Sequence, residues 1–209
     1  IIREIESPKG YVLSEEEIAV TIGKVDEVVE IELVNYFIKG NIALTKVDED
    51  YPDNKLSGAV FEVYSDTNGD GKLDKDDTLL GEMKELDGGV YQMSELRYGK
   101  YLVKETKTPT GFVLDENVYS VSVEENGKTY TVENKAGVGF INAAQKGSLK
   151  IVKTSSDGKV EGFSFRVTGV DYDQTFKTDK NGEIVIEGLR IGDYTVSEVS
   201  DKASAGYIL

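Results

Sequence analysis

The chain repeats itself, and that constrains its fold more than any other feature. KGNIALTKVDED, beginning at Lys39, returns as KGSLKIVKTSSDG, beginning at Lys146, and the lysines Lys46 and Lys153 stand 153 − 46 = 107 positions apart. Asn35 and Asn142 keep the same step, 142 − 35 = 107, each five residues before a glycine, Gly40 and Gly147. A third marker occurs three times, as REIESPKGY, YLVKETKTPTGF and YTVSEVSDKASAGY, and carries Glu4, Glu105 and Glu198. Self-similarity at a fixed step means that one structural unit is built more than once. The markers divide the chain into the C-terminal part of one repeat (1–39), a complete repeat (40–146) and the N-terminal part of a following repeat (147–209).

Inside the complete repeat, NIALTKV, GAVFEVY, GGVYQMSEL, GKYLVKET, VYSVSVE and KTYTVE alternate or cluster their apolar residues, with turn signals such as Asn126-Gly127 between them. Short strands at this spacing predict an all-β protein made of sandwiches. Helical periodicity nowhere lasts more than a few residues, and Ser14 to Ile18 is expected to form a brief turn.

Composition narrows the chemistry. The 209 residues include no His and no Cys, which excludes a Ser-His-Asp triad, imidazole or thiolate metal sites, a catalytic thiol and a disulfide. With 24 basic against 39 acidic side chains the formal charge is −15, the wrong sign for a nucleic-acid partner. No apolar run approaches the roughly 18 residues of a membrane span, so no membrane insertion is expected. The opening IIREIESPKGYVL has neither the basic nor the apolar region of a signal peptide.

Three kinds of polar residue fall on apolar faces. Period-2 alternation places Lys46 with Ile42 and Leu44, and Lys153 with Leu149 and Ile151. Glu105 shares a face with Tyr101 and Val103, Glu198 with Tyr194 and Val196; Asn142 shares one with Phe140, and Asn35 with Leu33 and Phe37. Each such group costs a few kcal/mol if buried alone, so the economical arrangement brings the three together. A buried amine, carboxyl and carboxamide are the parts of a self-made amide cross-link: burial disfavours charge on both members of the Lys–Glu pair, a proton passes between them, and a neutral amine remains to attack the Asn amide. Glu105 would polarise the carbonyl and relay the proton that lets ammonia leave. Such chemistry turns over once. Two other readings stay open at this point: a snorkelling lysine beside an ordinary asparagine in an edge turn, and Asn134, on the same face, as acceptor in place of Asn142.

The order TKVD, GAVFEVY, YLVKETKTPTGF and FIN resembles the Cna B-type or SpaA-type prealbumin-like repeats of Gram-positive surface adhesins and pilins, over the whole chain. The resemblance implies tandem inverse immunoglobulin-like sandwiches whose first and last strands are neighbours, joined by a Lys–Asn isopeptide bond beside an acid. By position these are Lys46, Asn142 and Glu105, with Glu4, Asn35, Lys153 and Glu198 as equivalents in the partial repeats. It further implies an extracellular, cell-wall-anchored stalk whose partners are neighbouring repeats, with any host matrix ligand bound by a tip domain outside this sequence. A Val-Tyr-Pro-Lys pilin motif is absent, and Pro8-Lys9 lies in the Gly-aromatic turn instead. A stalk repeat therefore fits better than a pilus shaft subunit; a ligand-binding adhesin domain is the other alternative.

One insertion stands apart. DTNGDGKLDKDD, residues 66–77, fits the twelve-residue calcium-loop pattern D-x-[DN]-x-[DN]-G-x5-[DE] with Asp in the last place. Oxygen ligands for Ca2+ are expected from Asp66, Asn68, Asp70, the Lys72 carbonyl, Asp74 and Asp77, and Gly71 allows the sharp turn at the sixth position. The flanks read as strands, so the expectation is a calcium loop in a hairpin; a solvated acidic turn is the alternative. Glu15, Glu16 and Glu17 lack ligand spacing and read as a solvated loop.

Overall fold

In the computed structural model, residues 1–207 are described; Ile208 and Leu209, the last two residues of the expected 147–209 segment, lie outside the described residues. The described residues are strands, turns and loops, and none forms a helix long and apolar enough to cross a membrane. The chain forms two units, Ile1–Ala143 and Ala144–Leu209.

The first unit is organised by one long strand, β3 (Lys39–Asp48), in which Ile42, Leu44 and Lys46 are buried while Ala43 and Thr45 are less so. That is the pleat written by the alternation of NIALTKV. Before it, β1 (Ile2–Arg3) pairs antiparallel with β2 (Glu17–Ile18). After it come β4 (Val60–Ser65), β5 (Thr78–Glu82), β6 (Lys84–Asp87), β7 (Val90–Arg97), β8 (Gly99–Lys107), β9 (Val118–Val123), β10 (Thr129–Thr131) and β11 (Phe140–Asn142). One sheet runs β10-β3-β7-β6 with β11 also paired to β3, and the other runs β5-β4-β8-β9. The two sheets share one core: Ile42, Leu44 and Tyr91 from the first meet Phe61, Val63, Val103 and Val123 from the second. Phe61 makes edge contacts with both Tyr91 and Phe140, at centroid separations of 5.2 and 4.9 Å.

Both β10 and β11 pair with β3 in parallel, with Tyr130 opposite Ile42 and Phe140 opposite Lys46. The strand that ends the repeat thus lies beside the strand that begins it. Parallel neighbours need a crossover, and here nearly the whole repeat supplies it.

The second unit repeats the opening of this plan. β12 (Lys146–Val152) pairs antiparallel with β15 (Glu183–Arg190), and β14 (Tyr172–Lys177), β13 (Ser164–Gly169) and β16 (Tyr194–Val199) form a second sheet in the order β14-β13-β16. Phe163, Phe165, Val167, Ile184, Ile186 and Leu189 make its core. Phe165 stands opposite Glu198 as Phe61 stands opposite Glu105. Tyr101 and Tyr194 each reach back four residues, donating to the carbonyls of Arg97 (2.6 Å) and Arg190 (2.9 Å).

Two local expectations need correction. Glu17–Ile18, expected inside a brief turn, is a strand, because Ile2 and Arg3 offer it a ladder. Residues 30–36 form no strand although they carry strand-like alternation; only Phe37 bridges, to Tyr11. Alternation alone leaves backbone N–H and C=O groups unpaired, and a strand forms where a neighbour accepts them.

Candidate functional site

The apolar faces of β3, β8 and β11 converge on a site with no water-exposed side chain. Lys46 and Glu105 are each 0% exposed and Asn142 is 3% exposed. Lys46 and Asn142 belong to one sheet, on neighbouring parallel strands, whereas Glu105 reaches in from the opposite sheet. Lys46 Nζ lies 3.6 Å from Glu105 Oε1, donates to the Phe140 carbonyl at 3.3 Å and sits 4.7 Å from the centre of the Phe140 ring. Asn142 Nδ2 donates to Glu105 Oε2 at 2.9 Å and to the Val113 carbonyl. Glu105 Oε1 and Asn142 Oδ1 are buried without hydrogen-bond partners.

Burial dominates the electrostatics. It pulls the Lys46 ammonium from its ordinary value of 10.5 down to about 8, against the smaller opposing pull of Glu105 and Asp115. A lysine so placed gives up its proton far more readily than one in water, which is what nucleophilic attack requires.

Asp115 frames this site, and sequence reasoning did not single it out. Its backbone N–H donates to Glu105 Oε2 at 2.9 Å. Burial opposes ionisation of its carboxyl, but hydrogen bonds from Asn134, Tyr119 and Asn117 outweigh that and hold it below its ordinary value. Asn134, considered above as an alternative acceptor, has its amide committed elsewhere. Nδ2 donates to Asp115 Oδ2 (2.8 Å) and the Ile141 carbonyl (2.9 Å), and Oδ1 accepts from Ile141 N–H (2.6 Å). It clips the backbone of β11 one residue before Asn142. A signal for Asp115 existed in the repeats: it follows Glu105 by ten positions, as Ser14 follows Glu4.

The partial sites keep the same grammar. Asn35 Nδ2 donates to both Glu4 oxygens (2.9 and 2.8 Å) and to the Val12 carbonyl (3.2 Å), and Ser14 N–H donates to Glu4 Oε2 (2.8 Å). In the second unit Lys153 Nζ pairs with Glu198 Oε2 at 2.8 Å, lies 4.8 Å from the Phe163 ring centre, and leaves Glu198 Oε1 buried and unpartnered. Acid and carboxamide meet in the first, amine and acid in the second, and among the described residues all three meet only at Lys46, Glu105 and Asn142.

The 66–77 loop joins β4 to β5. Its side chains are turned onto its own backbone: Asp66 Oδ2 accepts from Gly71 N–H, Asn68 Oδ1 from Asp70 N–H, Asp70 Oδ1 from Lys72 N–H, and Asp77 from Thr67 and Asp74 N–H. Lys72 contributes its backbone there and its carbonyl remains the expected seventh-position oxygen. Among the described residues no three or more carboxylates are gathered closely enough to hold a metal ion.

A family model described as the SpaA prealbumin-like fold domain matches residues 40–136 and again 147–209. Among solved structures, the chain is similar to the Bacillus anthracis TIE protein, at 27% identity and a TM-score of 0.74, over 95% of this chain and 35% of that one. A streptococcal ancillary pilin aligns at 19% identity and a TM-score of 0.38, over 91% of this chain and 65% of that one. The minor pilin of Streptococcus agalactiae aligns at 27% identity and a TM-score of 0.37, over 58% and 50%. This chain therefore spans about a third of the length of the Bacillus anthracis protein. A search among curated proteins returns no match.

Proposed function

The chain belongs to the family of SpaA prealbumin-like fold domains, and from that premise we propose that it is a structural stalk segment of a Gram-positive surface protein, locked by an autocatalytic amide between Lys46 and Asn142. The observation that carries this reading is the dry meeting of Lys46, Glu105 and Asn142 across both sheets of one sandwich. The match to the SpaA prealbumin-like fold domain over residues 40–136 and 147–209 supports a structural role in an extracellular assembly.

The reaction follows from the contacts. Lys46 passes a proton to Glu105, and neutral Nζ attacks Cγ of Asn142. The Cγ–Nζ bond forms as the Cγ–Nδ2 bond breaks. Glu105, already in contact with Nδ2, gives the departing nitrogen its proton and takes one back from Nζ, ending as the carboxylic acid that the first transfer from Lys46 made it. The Val113 carbonyl holds Nδ2 in place while it leaves as ammonia. Here Glu105 touches the amide nitrogen rather than the oxygen, so its proton-relay part is the one these contacts serve. Substrate and catalyst are one chain, so the site fires once and is not an enzyme in the ordinary sense.

Tryptic digestion under denaturing conditions tests the reading. The wild type should yield one branched peptide joining the Lys46 and Asn142 segments, and Lys46→Ala, Glu105→Ala and Asn142→Ala should each yield only linear ones. Linear peptides alone from the wild type would remove the cross-link from the account.

A further inference from the structure

We propose that residues 66–77 form a specific calcium site whose ion closes the β4–β5 hairpin. The sequence places oxygen-bearing residues at positions one, three, five, seven, nine and twelve of the loop. The backbone already follows the path such a site needs. Gly71 at position six has φ +75° and donates its N–H to Asp66 at position one (3.1 Å). Position twelve lies beside position one, because Asp77 Oδ1 accepts from Thr67 N–H at 3.1 Å.

A second observation is independent of this path. Asp66 is only 7% exposed, yet its Oδ1 has no hydrogen-bond partner. A buried carboxylate oxygen without a donor is a cost that a bound cation would remove. Asp66 lines a cavity of about 340 Å³ together with Asp70, Gly71, Lys100 and Ser120. Lys100 does not neutralise Asp66 there; its ammonium donates to the Gly69 carbonyl at 2.9 Å, an oxygen outside the ligand set. The loop holds five Asp against two Lys, so its carboxylates repel one another until a cation gathers them, and meanwhile they accept from backbone N–H groups. Calcium suits the set because it takes six to eight oxygens in an adaptable geometry, whereas magnesium demands a near-ideal octahedron. Binding would exchange those N–H partners for the ion and tie the hairpin to β8, to which Asp66 is already joined through the Lys100 carbonyl (3.0 Å).

The test is calorimetric titration of the whole chain with calcium chloride, beside its thermal melting. The expected result is a single site and a melting temperature that rises with occupancy. Asp70→Asn with Asp74→Asn changes two exposed positions isosterically and should abolish both effects with circular dichroism unchanged. Should that chain lose its fold, Asn68→Ala serves in its place and should weaken binding. Asn142→Ala, which cannot cross-link, should bind calcium as the wild type does, so this test stands apart from that of the amide. No heat and no melting shift at millimolar calcium would overturn the proposal, and so would binding that survives in the loop variants, which would place the ion elsewhere on an acidic surface.

Discussion

Lys46 shows how a residue that looks misplaced in a sequence becomes intelligible through its neighbours. Its burial carries a cost that pH exposes in a chain unable to react. In Asn142→Ala, the folded lysine holds its proton only up to about pH 8 while the unfolded one holds it to 10.5. Below pH 8 both states are protonated and the full penalty, about 3 kcal/mol, is present. Between 8 and 10.5 the unfolded state binds more protons, so stability rises with pH across that window. Denaturant melts of Asn142→Ala at pH 7, 8, 9 and 10 should show this climb, and a flat profile would contradict the buried charge. Lys46, Glu105 and Asn142 were legible because alternation fixes which face each occupies and because their counterparts recur in the partial repeats. The part played by Asn134 was not legible, since nothing in a linear sequence says that its amide turns to the Ile141 backbone. Asn134→Ala should loosen β11 without removing any reacting group, leaving a mixture of reacted and unreacted chains by mass; complete reaction would show that the clip is dispensable.

Among the elements, β11 matters most and is only three residues long. It is held by its ladder to β3, by the Asn134 clip, and by the Phe140 ring against Phe61 and Tyr119. Gly139, just before it, has φ +131°, and a Cβ there would stand 2.8 Å from the Thr45 carbonyl. Gly139→Ala should therefore push β11 away from β3, costing about 1–3 kcal/mol and lowering the fraction of chains that cross-link. Full cross-linking and an unchanged melting temperature in that variant would mean that β11 docks with more freedom than its contacts suggest. Most strands of the complete repeat were readable from period-2 patterning and turn residues, but β6, whose four residues are all exposed, was not. Nor was the parallel placement of β10 and β11 on β3, because patterning reports faces rather than neighbours; the family resemblance implied only that the first and last strands adjoin. Residues 30–36 mark the opposite failure, a strand pattern without a strand.

At the scale of the whole molecule, the family match falls twice, on residues 40–136 and 147–209, and the proposed amide would divide stability unequally between the two units. Lys46 and Asn142 are 142 − 46 = 96 positions apart, and a covalent tie across such a loop restricts the unfolded chain by about 4–5 kcal/mol in the chain-entropy description of cross-links. In a chain without a single cysteine, the proposed amide would do for the fold what disulfides do elsewhere. Glu105→Ala should accordingly melt well below the wild type, with the loss concentrated in residues 1–143. Among the described residues amine, acid and carboxamide are gathered at Lys46, Glu105 and Asn142, while Glu4 meets Asn35 and Lys153 meets Glu198, so one amide is expected in residues 1–209. The intact mass of the purified chain tests this most directly. The expected value lies below the sequence mass by one ammonia, a loss that Lys46→Ala or Asn142→Ala should abolish; a wild-type chain at its full sequence mass would contradict the cross-link.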